Sequence, residues 1–495
     1  MHWVDIAIFI LYMIVMLGIG FFFLKKNEGA EDYYVGGRNM SSLHIGLSVV
    51  ATDVGGGFSI GLGGLGFTMG IAGSWMLFTG FIGAWLAAVL LIPKVKRNSF
   101  FDTAYTFPQV FEYFFNSKVA LLAGIISAVG YAGFTSSQIL AGAKLANGTF
   151  VNLDLETALI IMGAVAVLYT VMGGLKAVIY TDTVQWIVLM SGLIFIGIPV
   201  SYYAIGGWDA IVNTVHPELL SMWNLSWQKA VYWAATILPI WFVGMTLYQR
   251  IYACNDEKTA KRAWYLAGLF EWPIMAFMGV ALGLFARIAA DQGMFDYLGA
   301  GNIAQTDPET GLPMLLRTVL PVGLMGLVMS AYFSAILSTA DSCLMAASGN
   351  VVSDIIGYFK DLDHESSGFL KLSQITTLAI GVGALVLASF MKSVLNLMLY
   401  SYAFMVSGLF VPIVGAFYWK KSSSAGALAA MISGGCTTVG LEIFAKALPL
   451  GLDSNVFGIT VSAIAFVIFS YLIPDDAEQQ EDYSVKEYQE ETVNA

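Results

Sequence analysis

The chain has 495 residues, of which 58% are hydrophobic and 12% are charged, and its formal net charge is −11. Soluble globular proteins carry about 25% charged residues, so this composition excludes a soluble protein over most of the length. The net charge says little about partners, because much of it comes from the acidic residues after Pro474. The glycine run at 55–57 is not followed by the Gly-Lys-Ser/Thr of a P-loop, which argues against transport driven by ATP.

Apolar runs of about 20 residues recur through the chain, each long enough to cross a hydrocarbon core of about 30 Å as a helix. They are continuous rather than alternating, which favours helices over a barrel. We therefore predict an all-α integral membrane protein with about 13 transmembrane helices. The runs lie at about 3–24, 45–67, 75–92, 119–145, 159–173, 182–204, 231–249, 263–287, 321–347, 372–390, 394–418, 425–445 and 453–473.

Basic residues predict the orientation of these helices. If the N-terminus lies outside, most of the 23 Lys and Arg residues fall in inner loops, Arg250 among them, whereas Lys144 is one of the few near the outer face. An odd number of helices then places the C-terminus in the cytoplasm. We expect residues 1–473 to form a single transmembrane domain and residues 474–495 to form an acidic cytoplasmic tail.

The second run contains Asp53 and, directly after it, the three glycines at 55–57. Each glycine weakens a helix by about 1 kcal/mol relative to alanine, and a break here would free the carbonyls of Ala51 and Val54. Unwound carbonyls are what secondary transporters use to coordinate sodium. The alternative is close helix packing through the glycines. Asp53 favours a function, because a carboxylate facing lipid costs on the order of 3 kcal/mol.

The stretch 168–185 ends one apolar run and begins the next. Gly173, Gly174 and Lys176 predict a polar turn between the two runs. Asp182 already lies inside the second run, where a buried carboxylate needs a partner or a role.

The ninth run carries serines at every fourth position, so their hydroxyls share one helical face. Thr339 and Asp341 flank that face. A row of hydroxyls with one carboxylate suits a hard cation that takes oxygen ligands, and packing of small residues is the alternative. The serines are Ser330, Ser334, Ser338 and Ser342.

Three of these segments, namely 51–57, 168–185 and 335–342, resemble signature segments of the sodium/solute symporter family, and the resemblance covers about residues 5–445. It implies a LeuT-like core of two inverted five-helix repeats. A second broken helix is then expected near Pro239 and Gly244. The repeats would span about 45–204 and 231–418, with extra helices at 3–24, 425–445 and 453–473.

The resemblance also implies ion sites. In that family one sodium lies between the first broken helix and the helix of the ninth run. Sodium is the implied coupling ion, and no other metal and no organic cofactor is expected. Carried over residue by residue, the ligands of the first sodium are Ala51, Val54, Ala335, Ser338 and Thr339. A candidate second sodium would use Asp182, Asp341 and Ser342.

The solute is less constrained by the sequence. Two carboxylates and several aromatic side chains would suit an organic cation, although ordinary packing or an interfacial belt explains each aromatic residue as well. Glu271 stands where sugar-transporting relatives carry a lysine, which weakens a sugar assignment. Proline-transporting relatives carry an aspartate at the position of Asp53. The substrate candidates are Asp53, Trp75, Tyr131, Phe134, Trp241 and Glu271.

These observations predict a multi-pass symporter of the cytoplasmic membrane that imports a small organic solute by alternating access and has no enzymatic activity. An amino acid, amine or quaternary ammonium compound is favoured over a sugar or monocarboxylate. A membrane sensor that binds solute without moving it is the alternative of another class. The expected partners are the solute, sodium and lipid but no nucleic acid, and one chain is the expected functional unit.

Overall fold

The computed structural model describes residues 2–24, 30–150, 153–298, 303–363, 366–445 and 447–475. Across these ranges the regular structure is helical, and an isolated bridge between Met40 and Cys254 is the nearest approach to a strand. The predicted all-α class is therefore confirmed.

The first half of the chain forms eleven α-helices, interrupted by 3₁₀ and π turns. They are α1 (Trp3–Leu24), α2 (Ala30–Val35), α3 (Ser42–Met69), α4 (Trp75–Leu86), α5 (Ile92–Lys96), α6 (Pro108–Phe114), α7 (Ser117–Thr149), α8 (Leu155–Gly192), α9 (Ile198–Ala204), α10 (Gly207–Thr214) and α11 (Trp227–Val243).

Ten further α-helices follow. They are α12 (Met245–Ala253), α13 (Glu257–Phe270), α14 (Phe277–Asp291), α15 (Pro308–Val319), α16 (Leu324–Gly349), α17 (Gly357–Phe359), α18 (Ser367–Ser389), α19 (Val394–Tyr418), α20 (Ser424–Phe444) and α21 (Ser454–Leu472). π turns at Ala87–Leu91, Leu193–Gly197, Glu271–Ala276 and Asn350–Ile356 join consecutive helices into longer rods.

Within the described ranges, nine helical segments are long and apolar enough to cross a membrane, and the bent pair α11 and α12 would make a tenth. The predicted count of 13 is not confirmed. One reason is α8, which continues through Gly173 and Gly174, where the sequence predicts a turn. Glycine can adopt helical angles at a cost of about 1 kcal/mol each, so a glycine pair alone does not end a helix.

Two helices are broken where glycine or proline weakens them. In α3, Gly55 has non-helical backbone angles (φ 11°, ψ −162°). Between α11 and α12, Gly244 is extended, and the two helices meet at a bend of 40°. Pro239 lies one turn before that bend and removes a backbone donor from the helix. Both breaks lie where the sequence predicts them.

Beyond the break at Gly55, α3 packs directly against α14. A β-carbon added to Gly283 would lie 2.0 Å from the carbonyl oxygen of Gly63, and one added to Gly66 would lie 2.2 Å from that of Val280. The two backbones therefore touch, and glycine is required at this contact, which we call the glycine seam. Small residues permit such close approach between membrane helices.

A buried ionic network joins α7, α15 and α19. The Lys144 ammonium lies 2.7 Å from a carboxylate oxygen of Asp307 and 2.7 Å from one of Glu309, and the Lys144 side chain is only 4% exposed. Glu309 also accepts hydrogen bonds from the hydroxyl of Ser393 and from two backbone N–H groups at the start of α19. Its charge thus satisfies the donors of a helix N-terminus.

Candidate functional site

The break in α3 faces α16 and brings three oxygens together. The Thr339 hydroxyl donates to the carbonyl of Ala51 at 3.0 Å and lies 3.2 Å from the carbonyl of Ala335, one turn earlier in its own helix. These are three of the five groups that the family resemblance assigns to the first sodium. We call Thr339 Oγ1 and the carbonyls of Ala51 and Ala335 the oxygen triad.

Glycine at position 55 makes this approach possible. A β-carbon there would lie 2.5 Å from Thr339 Oγ1 and 2.7 Å from Gln138 Oε1, far inside contact distance. Gln138 holds the far side of the break, because its Oε1 accepts from the N–H of Gly56 at 2.6 Å. The side chains of Asp53 and Val54, both predicted site residues, lie outside the described part of the structure.

Ser338 lies next to the oxygen triad and points to a buried carboxylate. Its hydroxyl donates to Oδ1 of Asp182, and the hydroxyl of Ser48 donates to Oδ2. Both oxygens of Asp182 therefore have a donor from a different helix, one from α16 and one from α3. Asp182 joins the two predicted sodium sites through Ser338.

Arg250, on α12, is the cation of this cluster. Its Nη2 lies 3.5 Å from Oδ2 of Asp182, and both side chains are 0% exposed. The same nitrogen donates to the hydroxyl of Ser342 at 2.9 Å and to that of Thr52 at 2.5 Å, and Nε donates to Ser48 at 3.0 Å. A buried ion pair needs such additional hydrogen bonds to offset its desolvation.

Asp341 is placed differently from Asp182. Its Oδ1 accepts from the hydroxyl of Thr170, while Oδ2 has no hydrogen-bond partner among the described residues. Asp341 is fully buried, so an Oδ2 without a partner is costly, and a bound cation would satisfy it.

One aromatic substrate candidate, Tyr131, lies beside the break at Gly244, and a second, Phe134, lies near Tyr131. The Tyr131 hydroxyl accepts from the N–H of Thr246 at 3.2 Å and lies 3.1 Å from its side-chain oxygen. Phe134 follows on the next turn and packs edge-on against Tyr402, with ring centroids 4.9 Å apart. The carbonyl of Thr246 accepts from Arg250 at 3.1 Å, so this group adjoins the charged cluster.

The other three described candidates lie along α4. Glu271 packs against Gly80, where an added β-carbon would meet its Oε1 at 2.1 Å, and Trp241 packs against Gly83 in the same way at 2.4 Å. Trp75 stacks on Trp272 at 5.9 Å. The structure therefore divides the substrate candidates between two interfaces instead of gathering them around one point.

The cluster contains five residues that are not predicted from the sequence, namely Ser48, Thr52, Gln138, Thr170 and Arg250. The distribution of basic residues predicts Arg250 in an inner loop, whereas the structure buries it. The sequence does carry one signal for a buried Arg250, because two polar residues, Gln249 and Arg250, stand together at the end of an apolar run. Both side chains are fully buried in the structure. Ser48 lies one turn before Thr52 on the face of α3 that meets Arg250.

The sequence matches a known family over most of its length. Residues 33–434 match the sodium:solute symporter family. Similar curated proteins include the high-affinity proline transporter PutP of Bacillus subtilis (strain 168), 28% identical over 86% of this chain and 89% of that protein. Another is the sodium/proline symporter of Escherichia coli (strain K12), 27% identical over 94% and 92%.

Solved structures of similar fold include a Na⁺-coupled sialic acid symporter in a substrate-bound, outward-open state. It has a TM-score of 0.77 and 21% identity and covers 96% of this chain and 99% of that one. Mhp1, a nucleobase-cation-symport-1 family transporter in a closed conformation, has a TM-score of 0.57 and 13% identity over 91% and 98%. These likenesses confirm the predicted LeuT-like fold.

Proposed function

Because this chain belongs to the sodium:solute symporter family, we propose that it imports a zwitterionic amino acid together with sodium, and that proline is the first solute to test. Sodium-coupled symport of a solute across a membrane follows from the family, and it is transport rather than enzymatic chemistry. The identity of the amino acid and the residues that bind it are the proposal.

The oxygen triad is the observation that carries the sodium part of this proposal. Thr339 Oγ1 and two backbone carbonyls converge at the point where Gly55 interrupts α3. Hard cations take oxygen ligands of this kind, and broken helices supply them in secondary transporters. We assign the first sodium to Ala51, Val54, Ala335, Ser338 and Thr339.

A second coupling cation is proposed at Asp182, Asp341 and Ser342. Support comes from Asp341 Oδ2, which has no hydrogen-bond partner among the described residues and is fully buried. A buried carboxylate without a partner is costly, and a cation at this oxygen would remove that cost. Ser338 connects this position to the first sodium through Asp182.

The choice of an amino acid rests on the relatives and on the break at Gly244. Proteins named as proline transporters align with 86% to 95% of this chain. The N-terminus of α12 begins at this break, and half-helix N-termini bind the carboxylate groups of substrates in transporters. Tyr131 already contacts the N–H of Thr246 there. The ammonium of the zwitterion would then face a carboxylate such as Asp53 or Glu271.

The energetics are sufficient for accumulation. A membrane potential of 100 mV is worth about 2.3 kcal/mol per charge. One sodium moving inward would therefore concentrate a neutral or zwitterionic solute about 50-fold, since about 1.4 kcal/mol is a factor of ten.

We further propose that the N-terminus lies outside and the C-terminus in the cytoplasm, that the membrane is the cytoplasmic membrane, and that one chain is the functional unit.

Uptake by purified protein in proteoliposomes tests the function. We expect proline uptake when sodium is high outside, loss of uptake when choline replaces sodium, and competition by amino acids or quaternary amines. Competition by sugars or monocarboxylates alone would contradict the amino-acid proposal. Solute binding without any sodium-driven accumulation would favour a sensor.

A further inference from the structure

Arg250 contacts two of the three groups that we assign to the second coupling cation. Its Nη2 lies 3.5 Å from Asp182 Oδ2 and donates to Ser342 Oγ at 2.9 Å. These oxygens are the ones a sodium ion would need. From this overlap, which rests on the proposed function, we infer that Arg250 is an internal cation that competes with the second coupling cation for Asp182 and Ser342.

The guanidinium is held by more than the ion pair. Its Nη2 and Nε donate to hydroxyls of Thr52 and Ser48 on α3, while Nη1 donates to the carbonyl of Thr246 on its own helix. Arg250 thus links α12 to α3, α8 and α16. When it is engaged in this way, the cytoplasmic part of α12 is tied to the helices that carry the ion ligands.

Engagement of Arg250 and binding of a cation at the same oxygens exclude each other. Ser342 Oγ lies 3.4 Å from Thr52 Oγ1 and both accept from the same nitrogen, so the guanidinium fills the space between them. A sodium ion beside it would also face a like charge in a medium of low dielectric constant, where repulsion is strong. Sodium therefore requires Arg250 to withdraw.

The position of Arg250 on α12 provides a route for withdrawal. This nine-residue helix follows the break at Gly244 and meets α11 at a bend of 40°. Hinges of this kind absorb changes of angle in transporters. Rotation of α12 at Gly244 would carry the guanidinium away from Asp182. Its return would displace the cation toward the cytoplasm and leave the pair neutral for the return step.

Sodium binding by the purified protein in detergent tests this inference without transport. Half-saturation is measured by tryptophan fluorescence and by thermal unfolding, with choline chloride keeping the ionic strength constant. The variants are Arg250→Gln, Arg250→Lys and, as a matched control, Arg262→Gln, an exposed arginine on α13. If Arg250 contacts Asp182 and Ser342 in about 90% of the sodium-free molecules, removal of the guanidinium should lower the sodium concentration at half-saturation about tenfold.

We expect Arg250→Gln to bind sodium about tenfold more tightly, Arg250→Lys a few-fold more tightly because it loses the bonds to Ser48 and Thr52, and Arg262→Gln as the wild type does. The double variant Asp182→Asn/Arg250→Gln should lose the gain. Recovery of folded Arg250→Gln only in sodium would also support competition, because the ion then replaces the guanidinium.

A purely structural role predicts a different pattern. Arg250→Gln and Arg250→Lys would both unfold at lower temperature, with sodium affinity unchanged or weaker, and that result would overturn the inference. If only Arg250→Lys folds and its sodium affinity is not raised, the inference also fails. Absence of any sodium effect in the wild type would instead refute the proposed function itself.

Discussion

Replacement of Glu309 by glutamine should destabilise the protein strongly, because the carboxylate is the centre of a buried network. It lies 2.7 Å from the Lys144 ammonium and accepts from Ser393 at 2.9 Å and from the N–H groups of Val394 and Leu395 at 2.9 and 3.1 Å. Glutamine keeps the shape but removes the charge. Breaking a buried ion pair on one side costs about 3–5 kcal/mol.

The lower end of that range applies, since Lys144 keeps its contact with the half-exposed Asp307. A loss of about 3 kcal/mol corresponds to a fall of about 3–6 °C in melting temperature for a chain of this size, extrapolated from smaller domains. Thermal unfolding in detergent measures it. Glu257→Gln is the matched control, because its ion pairs with Arg97 and Lys261 lie at the surface and are partly exposed, and each should contribute about 0–1 kcal/mol.

A double-mutant cycle separates the pair from its surroundings. Lys144→Met alone should cost about as much as Glu309→Gln, and the double variant should cost clearly less than their sum, because neither partner is then left as an unpaired buried charge. A melting temperature for Glu309→Gln within 1 °C of the control, or strict additivity in the cycle, would refute the reasoning.

Three further predictions concern the ion and solute sites. Gly55→Ala should raise the sodium concentration for half-maximal uptake by about tenfold or more, because its β-carbon would lie 2.5 Å from Thr339 Oγ1. The control is Gly383→Ala, whose β-carbon would meet no atom within 4 Å. Equal sodium dependence of the two variants would contradict the assignment of the first sodium. Thr339→Ala should have a similar effect on sodium through loss of one ligand, and an unchanged value at normal expression would remove Thr339 from the site. Glu271→Gln should weaken binding of an amino-acid solute and leave sodium affinity nearly unchanged in equilibrium binding, whereas unaltered solute affinity would leave Glu271 a packing role against α4.

The sequence predicts the features that depend on neighbouring residues. The break near Gly55 follows from three adjacent glycines, and the hydroxyl face of α16 follows from serines four residues apart. The burial of Arg250 cannot be predicted from the sequence, because a basic residue near a predicted loop is expected to face the cytoplasm. Its burial depends on acceptors from α3, α8 and α16, which are distant in sequence. The position of Glu271 against Gly80 likewise depends on packing between helices that are distant in sequence.

The predicted number of 13 membrane crossings is not confirmed by the described residues. Hydropathy marks where a chain is apolar but not where an apolar helix ends, and a glycine pair or a π turn can either interrupt a rod or pass within it. Two examples are α8 and the continuous helix that contains the π turn Glu271–Ala276. In both, the helical segment has different ends from the apolar run in the sequence.

The glycine seam has a mechanical consequence. Where the two backbones touch, no side chain lies between them to rearrange, so we expect the part of α3 after Gly55 to move together with α14 as one stiff lever. The contacts of Gly63 and Gly64 with Leu312 and Glu309 attach α15 to the same lever. The break at Gly55, beside the oxygen triad, is where we expect this lever to pivot. We therefore expect a binder that immobilises α15 to restrain the ion ligands without contacting them and to slow the transport cycle.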